Sequence, residues 1–142
     1  MATIQELRDK YEALDPQLKW EPESTIDPSC LLTFSYEYTG QTSEVKIDTN
    51  EFTAVCPWNG LPDQGTLTVT YVPESSCIEL KSLKYYLLSY RQVGIVQEHA
   101  ANRILYDLVA ACQPISMAVN LDYNIRGGLH TTVNVTYDKR SL

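Results

Sequence analysis

Long apolar runs are missing from this chain of 142 residues. A membrane-spanning helix needs about 18 or more consecutive apolar residues, and no such run occurs, so no membrane span is expected. The segment Met1–Lys10 carries charges and lacks an apolar core, so no signal peptide is expected either. Together these absences favour a cytoplasmic protein.

Positive charge and histidine are also scarce. The formal net charge is -7, which argues weakly against binding a nucleic-acid backbone, although a local basic patch could hold one phosphorylated cofactor. The two histidines, His99 and His130, form no metal-ligand spacing with cysteine, so no metal site is expected. No GxGxxG segment follows a predicted strand, so the sequence gives no support for a Rossmann cofactor site.

Cysteine is present four times, at positions 30, 56, 77 and 112, without a CxxC pair. This usage is typical of reduced thiols in a cytosolic protein. With 44% hydrophobic and 20% charged residues the chain reads as one globular domain. We expect an N-terminal helix and linker over residues 1–29 and the folded domain over residues 30–142.

The N-terminal part divides into a helix and an extended segment. Residues 2–15 are predicted to be helical, because apolar residues recur on one face, at Ile4, Leu7, Tyr11 and Leu14. Such a helix usually packs on its own domain or on a sister subunit. Trp20–Cys30 is rich in Pro, Glu and Ser and is predicted to be an extended linker.

Strand signals follow the linker. Leu32–Tyr36 and Glu44–Asp48 alternate apolar and polar residues, and Thr39-Gly40 between them supplies turn chemistry, which predicts a hairpin of these two segments. A loop rich in Pro and Gly is expected over residues 56–65, and Thr66–Val72 then alternates as another strand.

Two helices come next. Ser76 and Glu79 form a capping-box pattern, which predicts a helix from there to about Arg91, ended by Gly94. A second helix is predicted over Gln97–Cys112, with Pro114 after its end. The residues expected to be buried on the second helix are Ala101, Ile104, Leu105, Leu108 and Val109.

Two long strands, Ser116–Tyr123 and Thr131–Tyr137, end the chain. Two adjacent helices cannot serve as single crossovers between parallel strands, so we predict an α+β fold: an antiparallel sheet with two consecutive helices on one face. Thr and Tyr rather than Lys dominate the outer strands, so sheet continuation between subunits is plausible, which favours a homo-oligomer.

Cys56 and Asp63 could carry chemistry. Cys56 lies in the Pro- and Gly-rich loop, and Asp63 follows across a turn. A thiolate is the nucleophilic form of cysteine, and a nearby carboxylic acid could protonate the electrophile it attacks. A lone cysteine is more often a small buried hydrophobe, and spacing alone leaves both interpretations open.

Other polar residues also have both a functional and a purely structural explanation. Lys81, Lys84 and Arg91 share one side of the first predicted helix and could hold phosphates, although a solvated face is the more frequent explanation. Arg126-Gly127-Gly128 could bring bare backbone to a phosphate or simply form a loop. Glu98 could accept two hydrogen bonds from a guanine-like edge, or only favour the start of the second helix.

A family resemblance adds to these patterns over roughly residues 50–130. The chain resembles the single-domain, QueF-type, NADPH-dependent 7-cyano-7-deazaguanine reductases. The residues that carry the likeness are Glu51–Pro57, Gly60, Pro62-Asp63, Tyr71, Pro73, Glu79–Tyr86, Ser89–Arg91, Glu98, Asn102 and Arg126–Gly128. Glu79–Tyr86 is the most specific block, since it is the NADPH signature of that family.

The resemblance implies a tunnelling fold, stacked rings of subunits with interfacial active sites, and a reaction. That reaction is the four-electron reduction of a nitrile to a primary amine with two NADPH, in queuosine biosynthesis for tRNA. The substrate would be the free deazapurine, with no direct nucleic-acid partner.

The resemblance also implies roles for single residues. Cys56 would form a covalent thioimide with the nitrile carbon, and Asp63 would protonate the nitrile nitrogen. Substrate-binding residues would be Ile78, Glu79, Leu80, Gln97 and Glu98. NADPH phosphates would meet Lys81, Lys84, Arg126 and Gly127.

The chain departs from the family pattern in places. Gln97 stands where histidine is common, and His99 follows Glu98; Gln64-Gly65 replaces an aromatic and a small residue. Two other functions are considered: a QueF-like amidinotransferase acting on nitrile-bearing tRNA, and a non-catalytic pterin- or purine-binding module. The intact lysine block and the acidic charge favour the reductase over the first, and the Cys56/Asp63 pair argues against the second.

Overall fold

The computed structural model describes residues 1–14 and 18–141. Their helices and strands, in chain order, are α1 (Ile4–Leu14), β1 (Thr33–Ser35), β2 (Val45–Val55), β3 (Pro62–Val72), β4 (Ser76–Ile78), α2 (Leu80–Leu88), α3 (Gln97–Cys112), β5 (Ser116–Tyr123) and β6 (Thr132–Asp138). Short 3-10 turns lie at Glu23–Thr25, Pro28–Cys30 and Lys139–Ser141.

A four-stranded antiparallel sheet in the order β2-β3-β5-β6 forms the centre of the fold. Along β3 the buried residues alternate with more exposed ones, so that one face of the strand points into the core. The apolar residues of α2 and α3 belong to the same core cluster as those of the sheet. The predicted α+β fold with two consecutive helices on one face is therefore confirmed.

Buried tyrosine hydroxyls join the two helices to each other. Tyr86 donates to the carboxylate of Asp107 at 2.7 Å, and its hydroxyl lies 2.9 Å from that of Tyr90. On the sheet, Tyr71 accepts a hydrogen bond from the Ile78 amide at 3.1 Å, and burial raises the pKa of Tyr71 to about 12. A buried hydroxyl without a partner would be costly, so these bonds select one arrangement of the helices on the sheet.

The predicted hairpin between residues 32–36 and 44–48 is wrong. β1 instead pairs with β4, with Thr33 opposite Ile78, and β2 pairs with β3. Alternation identifies a strand but not its partner. β2 runs on to Val55, and the short loop that follows returns the chain directly into β3, so the nearest antiparallel partner of β2 is β3.

The predicted capping box is wrong as well. Ser76 lies in β4, and Glu79 is itself the N-cap of α2, its carboxylate accepting from the amides of Lys81 and Ser82 at 2.8 Å each. These bonds lower the pKa of Glu79. Pairing with β1 draws the first three residues of the pattern into extended backbone, so the helix starts only at Leu80. It ends at Leu88 rather than at Arg91.

The second predicted helix, Gln97–Cys112, and the strand Ser116–Tyr123 are confirmed in their bounds. The last strand is shifted by one residue, to Thr132–Asp138, and the strand predicted at Thr66 begins earlier, at Pro62. On α3, Ala101, Ile104 and Leu108 are buried as predicted, while Leu105 and Val109 are partly buried against the core. Within the described ranges, no helix is long and apolar enough to cross a membrane.

The N-terminal helix is confirmed over residues 4–14, and residue 15 of the prediction lies outside the described residues. None of the residues of α1 is buried. Packing of α1 on its own domain is thus not observed, and packing on a sister subunit stays a prediction.

The segment predicted as an extended linker is attached to the domain. Glu21 donates to the Gln92 carbonyl at 2.6 Å and accepts from the Gly94 amide at 2.9 Å, and Ile26 is buried in the core. The indole of Trp20 lies on Gly94 so closely that a Cβ there would be 2.1 Å from its Cδ1 atom. Residues 20–26 therefore pack on the domain; the division at residue 29 stays a prediction.

This contact predicts the effect of Gly94→Ala. The added methyl must displace Trp20, and we expect the free energy of unfolding to fall by about 1–3 kcal/mol, as in other overpacked sites. Chemical denaturation measures the change. In a Trp20→Ala background most of the loss should disappear, and an equal loss in both backgrounds would contradict the explanation.

Candidate active site

The β2–β3 pair places Cys56 beside Asp63. Ala54 is opposite Asp63 in the register, so Cys56 follows the end of β2 while Asp63 is the second residue of β3. The intervening turn is closed by two hydrogen bonds, from the Cys56 amide to the Leu61 carbonyl at 2.9 Å and from the Gly60 amide to the Cys56 carbonyl at 2.8 Å. A seven-residue separation in sequence thus becomes proximity across a hairpin.

Asp63 is a carboxylate on the buried face of the sheet, with its side chain 3% exposed. Its Oδ1 atom accepts from Nε2 of Gln97 at 3.2 Å and from Nη1 of Arg126. An unpaired carboxylate at this depth would be strongly unfavourable, so these two partners account for its burial. The hydrogen bond to Asp63 is also the main reason that the pKa of Arg126 is raised.

The first turn of α3 faces the same region. Val96 precedes the helix without a side-chain cap, and Gln97 and Glu98 lie in its first turn. The Tyr123 hydroxyl donates to the Gln97 carbonyl at 3.3 Å, and its pKa is raised by burial first and then by the charges of Asp63 and Glu98. The positive end of the helix favours a negative charge nearby.

These groups surround a cleft of about 430 Å³. Of the predicted residues it is lined by Cys56, Asp63, Gln97, Glu98, Arg126 and Gly127. Its size suits a small ligand. The cleft therefore combines a thiol, a buried carboxylate and a guanidinium.

The predicted residues at the start of α2 lie elsewhere. Ile78 ends β4, and its amide donates to the side-chain hydroxyl of Tyr71, a residue eight positions along β3 from Asp63. At about 3.3 Å per residue, the backbones of Asp63 and Tyr71 are roughly 26 Å apart, so Ile78 lies towards the other end of β3. Glu79 and Leu80 follow Ile78 directly, so within one chain they do not share the cleft with Cys56.

The lysines form a second exposed group. Lys81 and Lys84 are both exposed on α2, and neither forms an ion pair with another described residue. Lys84 and Arg91 line a groove of about 290 Å³ between β2 and α2, together with Asp48 and Glu51. Arg91 lies beyond the end of the helix. Free ammonium groups of this kind fit the phosphates of a nucleotide cofactor.

The remaining titratable candidates stay apart from the cleft. His99 lines a different groove, along the outer side of α3. In the part of the chain that the structure describes, no cluster of three or more His, Cys, Asp or Glu side chains could hold a metal ion. All four cysteines are free; Cys56, Cys77 and Cys112 are buried and Cys30 is half-buried.

Several cleft residues were not found from the sequence. Trp58, Asn124, Leu129 and Thr131 also line it, and the Trp58 side chain is 82% exposed at its rim. A tryptophan in a Pro- and Gly-rich loop was an available signal. The other three lie in the β5–β6 connection, and only the register of the sheet brings that connection to the start of β3.

The fold and the cleft define a class of protein: a small antiparallel α+β domain with a cysteine and a buried carboxylate side by side. The family model described as "QueF-like protein" matches residues 62–141, more than half of the chain. A protein of Thermoanaerobacter pseudethanolicus named NADPH-dependent 7-cyano-7-deazaguanine reductase is 51% identical over 114 residues, which cover 80% of this chain and 86% of that protein. A protein of the same name from Chlorobaculum tepidum is 55% identical over 106 residues, covering 75% and 91%.

A solved structure is similar too. The archaeosine synthase QueF-Like in its apo form matches with a TM-score of 0.63 and 25% identity, over 68% of this chain and 94% of that one. This chain belongs to the QueF-like family.

The thiol environments predict which cysteine reacts first with a limiting amount of iodoacetamide at neutral pH. We expect Cys56 to be labelled first, because it lines the cleft. Burial raises the pKa of Cys112 to about 12, and burial and Asp27 raise the pKa of Cys30, so few thiolates form there. Peptide mass spectrometry measures the order.

A Cys56→Ser protein is the control, in which labelling of the other cysteines should keep its slow rate. As the pH is raised, labelling of Cys30 should increase before that of Cys112. Preferred labelling of Cys30 at neutral pH would contradict this assignment.

Proposed function

We propose that this chain is an NADPH-dependent 7-cyano-7-deazaguanine reductase. It reduces the nitrile of the free deazapurine to an aminomethyl group, a step of queuosine biosynthesis for tRNA, in the cytoplasm. The observation that carries the proposal is the cleft in which Cys56 and the buried Asp63 stand side by side. Relatives that are about half identical over most of the chain bear the same name.

The first chemical step uses both residues. The Cys56 thiolate adds to the nitrile carbon, forming a C–S bond while one C–N π bond breaks. Asp63, in its acid form, gives its proton to the nitrogen as negative charge develops there. The product is a covalent thioimide, whose carbon accepts hydride more readily than a nitrile carbon does.

NADPH is expected to bind through the exposed lysines. When bound, the nicotinamide supplies hydride, and two such cofactors are needed for the four electrons. Lys81 and Lys84 would hold phosphate groups, since their ammonium groups are exposed and unpaired within the described part of the chain. Gly127 would allow close backbone approach, as it has a positive φ of 55° and open space at its Cα.

We assign substrate recognition partly to residues of the Cys56 cleft and partly to residues at the start of α2. Glu98 lines the cleft and would accept two hydrogen bonds from the guanine-like edge, with Gln97 beside it. Ile78, Glu79 and Leu80 would line the base. Because those three follow β4 near the other end of β3 from Asp63, we assign them to the site of a neighbouring subunit.

A homo-oligomer with interfacial active sites follows from this division. β2 and β6 are the edge strands of the sheet, and neither edge is covered by another described strand. Unpaired edge strands are a ready means of continuing a sheet between subunits. In the proposed assembly the α2 start of one subunit completes the Cys56 cleft of a neighbour.

An amidinotransferase is the second candidate, because the archaeosine synthase QueF-Like shares the fold at 25% identity. The exposed lysines of α2 favour the reductase, since a nucleotide reductant needs a phosphate site. A non-catalytic binding module has no need of the Cys56/Asp63 pair.

NADPH oxidation in the presence of 7-cyano-7-deazaguanine separates the three. We expect oxidation by the unmodified protein and none by Cys56→Ala, with Cys30→Ala as the control that keeps its activity. Absorbance follows the cofactor, and mass spectrometry follows a covalent adduct. An adduct without oxidation would support the amidinotransferase, and neither adduct nor oxidation would support the binding module.

The lysine assignment predicts a cofactor-specific defect. Lys81→Ala and Lys84→Ala should each raise KM for NADPH about tenfold, because each removes a charge-assisted hydrogen bond to phosphate. Steady-state kinetics at saturating nitrile measures this. Lys139→Ala, which removes an exposed lysine paired with Glu74, should leave KM unchanged, and an equal change in all three would contradict the assignment.

A further inference from the structure

Arg126 lines the cleft that contains Cys56 and Asp63. It lies in the β5–β6 connection, and its guanidinium donates through Nη1 to the Asp63 carboxylate. Cys56 lines the same cleft as Arg126, and its side chain adds to the rise in the pKa of Arg126. Its side chain is 35% exposed, whereas that of Asp63 is 3% exposed. Arg126 is thus a surface cation that reaches inward to two buried reactive groups.

The charges around the pair make this cation important. Among the described residues that line the cleft, Arg126 is the only cation, while Asp63 and Glu98 are carboxylates. A thiolate formed in a cleft with two carboxylates would be repelled by both. Gln97 donates to Asp63 but carries no charge that could offset that repulsion.

The proposed reaction, on which this inference rests, needs a thiolate and a carboxylic acid at the same time. A carboxylate paired with a guanidinium, as Asp63 is with Arg126, has no proton to donate. The proton that the nitrile nitrogen receives must therefore first come to Asp63, and the Cys56 thiol, which has to lose one, can supply it. Moving it from the Cys56 thiol to the Asp63 carboxylate leaves the total charge of the pair unchanged.

We propose that Arg126 is a positioning residue that holds the single negative charge of the Cys56/Asp63 pair, so that the proton can pass from the thiol to the carboxylate without loss of the ion pair. Before the transfer the guanidinium pairs with Asp63, and afterwards it pairs with the Cys56 thiolate. Its fork of N–H groups can face both anions, which an ammonium point charge does less well. This role concerns the reacting pair and differs from the phosphate contact that family resemblance implied for Arg126.

The test is the pH profile of Cys56 alkylation in the full-length free protein, without nitrile or NADPH. Iodoacetamide is applied from about pH 6 to about pH 10, spanning ordinary thiol titration, and the Cys56 peptide is quantified. In Arg126→Gln the rate at neutral pH should fall about tenfold, because the cation that favours the thiolate is gone. At the highest pH the two proteins should react at similar rates.

Two further variants separate charge from structure. Arg126→Lys retains the charge without the fork and should recover most of the rate at neutral pH. Arg140→Gln makes the same substitution in an exposed Arg–Asp pair, with Asp138, and should keep the unmodified profile. Loosening of the cleft alone would speed alkylation at every pH, and that result, or an unchanged profile in Arg126→Gln, would overturn the proposal.

The outcome is independent of the proposed function. If Cys56→Ala abolishes nitrile-dependent NADPH oxidation while Arg126→Gln keeps the unmodified alkylation profile, the role of Arg126 alone is refuted. If the profile shifts as expected and no oxidation occurs with the nitrile, the reductase function alone is refuted.

Discussion

The burial of Asp63 is the constraint on which the cleft depends. A carboxylate on the core face of a sheet is tolerated only when charged and polar partners surround it. Gln97 at the start of α3 and Arg126 in the β5–β6 connection supply them. Three segments far apart in the chain thus meet at one end of the sheet, and the Cys56 turn meets them there.

Backbone hydrogen bonds to Val93–Ile95 are a second constraint on the position of the Cys56 turn. The segment Val93–Ile95 lies between two partners: Val55 exchanges hydrogen bonds with Val93 and Ile95, and Glu21 bonds to Gly94 on the other side. Trp20 covers Gly94 and also approaches Gly60 in the turn itself. Trp20 and Glu21, which precede the sheet, are therefore part of what positions the cysteine, although neither lines the cleft.

Regular elements were predictable where local signals were strong. The bounds of α3 and β5 were predicted correctly. For α3 the signals were its apolar periodicity and the Pro114 after its end, and for β5 the signal was alternation; all of these are properties of the segments themselves. The pairing of strands was not predictable in this way. β1 pairs with β4, and Ser76 therefore lies in a strand, although the local sequence pattern predicted the start of a helix there. The competing free energies of strand pairing are set by segments distant in sequence.

The sequence by itself determined the antiparallel α+β class and placed Cys56 and Asp63 seven residues apart across a turn, because periodicity, turn residues and spacing are local properties. Resemblance over residues 50–130 added the family. Only the tertiary structure decided that Arg126 reaches Asp63, that Trp20 braces the turn, and that Ile78–Leu80 lie far from Cys56. These are contacts across the sheet register and between distant segments, and register is fixed by the whole core rather than by any one stretch of chain.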